Sequence, residues 1–101
     1  TWGWADFAIS ACAWLRGSKS VEAIAVPVTI LGAELDNRVL NADSMAIARR
    51  LPKGRYIEVP GAFHEILVET DARRAVFWRA FDETVDPLAP REPLISPNVS
   101  D

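Results

Sequence analysis

The sequence contains a single cysteine, which excludes an internal disulfide. Set among alanine and tryptophan, Cys12 reads as a small buried hydrophobe rather than a reactive thiol. Positive charge is not in excess: 11 Lys plus Arg stand against 14 Asp plus Glu, for a net charge of −3. Nothing in that balance favours phosphate backbones, so no nucleic-acid partner is expected. No apolar run approaches the ~20 residues that a membrane span needs, so no membrane span is expected either. The opening TWGWAD has neither the basic start nor the apolar core of a signal peptide, and no initiating methionine precedes it. The expectation is that the chain begins inside a longer one. Histidine is also scarce. His64 stands alone, and His64-Glu65 is not followed by a second histidine at the helical offset of a zinc motif. A metal held by His64, Glu65, Asp36 and Asp43 is therefore not expected.

What is present is globular: half the residues are hydrophobic and a quarter charged. The 101 residues suffice for one small domain, whereas α/β domains that bind ligands at strand ends often run to ~200–250 residues. Trp4, Phe7, Ala8, Ala11, Trp14 and Leu15 recur at helical offsets, which predicts an amphipathic helix over 4–15 with a broad aromatic face. Gly17, Ser18 and Ser20 end it, and residues 21–25 form a short turn or helical bridge. These aromatics read either as packing between layers or as walls of an apolar substrate pocket, for which Trp2, Trp4 and Phe63 are the candidates.

Pro27 suits the first position of a strand, and Val28 to Leu31 form a continuous apolar run, the pattern of a parallel strand covered on both faces. Gly32 releases the chain into a loop carrying Asp36. A helix over 42–51 follows, with Asn41 as its expected N-cap, Asp43 in its first turn and Arg49 and Arg50 near its end. Pro52-Lys53-Gly54 breaks it, Arg55 to Val59 alternates as a second strand, and Pro60-Gly61 opens a turn carrying His64. Thr70 caps a last helix that presents Val76, Phe77, Ala80, Phe81 and Val85 on one side, read as core. Pro87, Pro90, Pro93 and Pro97 then mark a tail over 87–101, mobile or surface-hugging, with a PxxP ligand as the alternative.

The order is helix, strand, helix, strand, helix, tail, an α/β pattern. A crossover between the strands makes them parallel and sets Asp36 and His64 beyond the same edge of the sheet, close together. Two strands alone leave open edges, so the unit needs the rest of a sheet. The chemistry that such a pair serves is a serine hydrolase: the imidazole takes the hydroxyl proton and the carboxylate fixes its tautomer. The nucleophile of that chemistry sits on a G-x-S-x-G elbow. None of the serines here, at 10, 18, 20, 44, 96 and 100, has that setting.

Three patterns carry a resemblance. The L-G-A-x-x-D-x-x-V loop after the P-V-x-x-L strand, the R-L-P-x-G-R break and the V-P-G-A-x-H-E-I-L turn resemble the C-terminal portion of the α/β-hydrolase superfamily, in its lysophospholipase and monoacylglycerol-lipase-like branch. The W-G-W stretch is similar to the last helix of that branch's cap region. The resemblance implies that residues 1–20 end a cap region and that 21–86 are the C-terminal part of an α/β-hydrolase domain, incomplete without an N-terminal half. It implies Asp36 as acid and His64 as base. The nucleophile and oxyanion loop would lie in that N-terminal half, in the same or a companion chain. Glu34 lies past the same strand as Asp36 but nearer the strand end, which disfavours it as the acid. Leu35 and Leu40 depart from the branch's loop pattern. The implied substrate is an acyl ester such as a lysophospholipid or a monoglyceride, with no cofactor. The implied location is cytoplasmic, peripheral to a membrane in the parent protein. The other reading is a non-catalytic α/β module that binds a partner protein through its sheet edge and aromatic face.

Overall fold

The computed structural model describes residues 1–88, so most of the Pro-rich tail at 87–101 lies outside the described residues. The chain is mixed α/β, with α1 at Trp2–Gly17, β1 at Val28–Ala33, α2 at Asn41–Arg50, β2 at Gly54–Val59 and α3 at Asp71–Val85. Short 3-10 turns lie at Val21–Ala23, Ile66–Val68 and Asp86–Leu88. β1 and β2 run parallel, in a register from Val28 opposite Gly54 to Ala33 opposite Val59. They form a two-stranded sheet, so each strand has one open edge among the described residues.

Local chemistry sets the element boundaries. Thr1 Oγ1 accepts the Trp4 amide and caps α1, which starts earlier and ends later than the apolar periodicity alone predicts. At α2 the expected cap is wrong. Asn41 is the first helical residue and Leu40 the cap, while the Asn41 side chain donates to the Ala33 carbonyl at 2.7 Å. That bond fastens the start of α2 to the end of β1 instead of satisfying the helix's own amides. Gly54 is required where α2 turns into β2, because a Cβ there would overlap the Ala48 carbonyl oxygen and come within 2.7 Å of Leu51 Cβ. Gly32 lets the Tyr56 ring lie across β1, for a Cβ at 32 would collide with its hydroxyl. That hydroxyl is buried with no hydrogen-bond partner among the described residues. Burial, and then the carboxylates of Glu58 and Asp36, push the Tyr56 phenol above its usual pKa.

The core is small and lies beside the C-terminal ends of the strands. Ala33, Val59, Ala62 and Ile66 are buried together, with Leu31, Val76 and Phe77 packed on them. Only part of the expected α3 face reaches this core. Ala80 is buried and Phe77 partly so, while Phe81 and Val85 remain 44% and 39% exposed. A two-stranded sheet is too narrow to cover a helix of this length. Thr29 links α3 to β1: it donates to Thr84 Oγ1 at 2.6 Å, whose own proton goes to the Ala80 carbonyl.

α1 has no buried residue. Trp2 and Trp4 are 91% and 71% exposed, and Phe7 and Trp14 are also exposed, so the aromatic face finds no packing layer within the described residues. For the same reason Cys12 is exposed, against the expectation of burial. α1 is held mainly at its C-terminal end by Arg50, whose Nη1 donates to the Leu15 carbonyl at 2.7 Å. The Arg50 Nη2 donates to the Ser18 carbonyl and to Glu22. A cation on these free carbonyls also complements the negative end of the helix dipole.

Candidate active site

Both site loops leave the C-terminal ends of adjacent parallel strands, and backbone bonds stitch them together. The Glu34 amide donates to the Val59 carbonyl at 3.1 Å and the Leu35 amide to the Ala62 carbonyl at 2.9 Å. Gly61, at φ +70°, occupies the left-handed region that a side chain resists, and so reverses the chain directly after β2. Its amide donates to Glu34 Oε1 at 2.9 Å, so Glu34 ties one loop to the other.

Asp36 is the centre of its own loop. Oδ1 accepts the amides of Arg38 at 2.8 Å and Val39 at 3.0 Å, which fixes the carboxylate plane. Oδ2 then faces His64 Nδ1 at 2.8 Å. The Asp36 side chain is only 5% exposed and that of His64 is 41% exposed, so the carboxylate is screened while the imidazole reaches solvent. The hydrogen bond from His64 is the main cause holding the Asp36 carboxyl below its usual pKa. The two amides add to it, and partial desolvation opposes it. An ionised Asp36 accepts a hydrogen bond only from an imidazole that carries a proton on Nδ1, and the neutral Nδ1–H tautomer keeps its lone pair on Nε2.

His64 shares a shallow open depression of about 360 Å³ with Phe63, Arg38, Val68 and Glu69. The structure thus places Phe63, 54% exposed, beside His64. Trp2 and Trp4 are not brought there: they lie at the opposite end of α1 from the Arg50 anchor and line no part of this depression. Glu65 projects into solvent without a side-chain hydrogen bond among the described residues, while Glu69, not anticipated from the sequence, accepts the Phe63 amide at 2.7 Å. No spacing rule marks Glu69; only the 3-10 turn at Ile66–Val68 carries it back onto the His64 loop. Among the described residues no three His, Cys, Asp or Glu side chains assemble into a group that could hold a metal ion.

Comparisons with protein-family models, curated proteins and solved structures gave no match to this chain.

Proposed function

We propose that this chain supplies the acid and the base of a Ser–His–Asp hydrolase acting on acyl esters, and that the nucleophile comes from an N-terminal half in the same or a companion chain. One observation carries the reading: Asp36, oriented by two backbone amides, faces Nδ1 of a 41% exposed His64 side chain at 2.8 Å, so the tautomer that bonds it keeps the lone pair on Nε2. In this reading Asp36 holds the tautomer and stabilises the imidazolium. His64 takes the serine proton and returns it to the leaving alcohol. A full α/β-hydrolase sheet would continue from an open strand edge, and α1, as the end of a cap, would set its aromatic face over an apolar acyl chain. A lysophospholipid or a monoglyceride is a substrate of that chemistry. No described helix is long and apolar enough to cross a membrane.

A serine-directed fluorophosphonate tests the reading. The chain by itself should remain unlabelled, and the parent protein, or the chain combined with a polypeptide bearing a G-x-S-x-G elbow, should take the label in a manner lost on His64→Ala. Labelling of this chain alone would overturn it. The exposure of Trp2, Trp4, Phe7 and Ile9 on one helix, and separately the open edges of the two strands, favour a second reading as a module that binds a partner protein. Under that reading neither the chain nor its parent takes the probe.

A further inference from the structure

Two carboxylates besides Asp36 converge on the turn that carries His64, and they hold it at two different amides. Glu34, from the β1 loop, holds the Gly61 amide at 2.9 Å. Glu69, from beyond the 3-10 turn, holds the amide of Phe63, the residue immediately before His64, at 2.7 Å. The second grip has its own support. Glu69 Oε2 accepts from Arg73 Nη1 at 3.0 Å, with the Glu69 side chain only 12% exposed. The same Arg73 guanidinium lies against Gly61, where an added Cβ would meet it at 3.0 Å. The Phe63 amide is the larger cause, and Arg73 the next, of a Glu69 pKa below its usual value, so the carboxylate is charged and its bond to Phe63 is charge-assisted.

Among the described residues the imidazole has a single hydrogen bond, to Asp36, and is substantially exposed. One such bond fixes a direction but leaves the ring free to swing with its backbone. Backbone placement at 63–64 therefore decides whether Nδ1 stays on Asp36. Among the described residues, the side-chain bond nearest to His64 along the chain that holds this backbone is the one from the Phe63 amide to Glu69. We infer that Glu69 is the positioning residue for His64, acting through the Phe63 amide and braced by Arg73. The inference rests on the proposed role of His64 as base.

Because His64 is the only histidine, one ¹⁵N-histidine label reports on it without ambiguity. In the unsubstituted chain the imidazole should show the Nδ1–H tautomer, with a downfield proton protected from exchange. Glu69→Ala should lower the ratio of Nδ1–H to Nε2–H tautomer by about tenfold, the size of losing one hydrogen bond to a charged acceptor. Glu69→Gln keeps an oxygen for the Phe63 amide but loses the charge that Arg73 braces, and should restore the ratio in part. Glu65→Ala removes a neighbouring charge that makes no side-chain bond among the described residues and should change nothing. If Glu69→Ala also loses the fold by circular dichroism, Arg73→Met serves instead, with a smaller shift of the same sign. Overturning results are an unchanged tautomer ratio in a folded Glu69→Ala or Arg73→Met chain, an effect equally large in Glu65→Ala, or no restoration by Glu69→Gln. The failures are separable. A folded unsubstituted chain, alone or joined to its N-terminal half, with no bonded Nδ1–H would remove the dyad and with it the hydrolase reading, whereas an intact dyad indifferent to Glu69 would overturn only the positioning role.

Discussion

Nδ1 of His64 lies 2.8 Å from Oδ2 of Asp36, across a sequence separation of 28 residues that contains α2 and β2. The contact exists because the register sets Ala33 opposite Val59, so both chains leave the sheet at the same level. Asp36→Asn would keep the shape of the loop but offer the imidazole an amide in place of a charged acceptor. Under the proposed hydrolase reading, with the N-terminal half in place, this substitution should cut kcat by about 10⁴-fold, the cost of the wrong tautomer and of an unstabilised imidazolium. Steady-state hydrolysis of a chromogenic ester checks it, with KM expected to change far less than kcat.

Acid should weaken the fold through a defined set of carboxylates. Asp36, Glu22 and Glu69 all titrate below their ordinary values, with hydrogen bonds from His64, Arg50 and the Phe63 amide as their respective largest causes. Their folded-state pKa values are depressed, so the unfolded chain binds more protons as pH falls. The stability they add is fully present above the ordinary values, 3.8 for Asp36 and 4.5 for the two glutamates, and is lost as pH drops through the lower folded-state values. Urea midpoints measured across the acid range should fall below pH 4.5, with a shallower dependence in Glu69→Gln.

Two glycines should respond in opposite ways to the same substitution. Gly54→Ala drives a methyl into the Ala48 carbonyl and Leu51, backbone and core that cannot give way, and should cost about 3 kcal/mol. Gly17→Ala meets nothing within 4 Å at the end of α1 and should be neutral or stabilising by about 0.5 kcal/mol. Equilibrium urea unfolding of the two variants measures both. Val59→Ala, at a fully buried position in the core, should cost about 2 kcal/mol by the same assay.

Arg50 should govern the order of α1. Its guanidinium meets the carbonyls of Leu15 and Ser18, and α1 buries no residue that would hold it otherwise. Arg50→Ala should accelerate amide exchange across residues 2–17 by on the order of tenfold while β1 and β2 keep their protection. Hydrogen exchange read by mass spectrometry distinguishes this from global loosening, in which the strands would accelerate as well.

The sequence by itself determined the order of elements and the parallel pair. Apolar runs of strand length, a helix between them and turn residues at Pro52-Lys53-Gly54 and Gly61 are local signals, and they fix where the chain extends, coils and reverses, although Gly32, expected to release the chain into the loop, lies within β1. They also determined that Asp36 and His64 leave neighbouring strand ends. What lay beyond local signals was decided by packing. Whether Asn41 caps α2 or binds Ala33 depends on where β1 ends in space. Whether Cys12, the α1 aromatics and Phe81 are buried depends on a second layer, which two strands are too narrow to provide. The roles of Glu34 and Glu69 were also tertiary. A carboxylate carries no periodicity, and only the folded turn brought Glu34 within reach of the Gly61 amide and Glu69 within reach of the Phe63 amide.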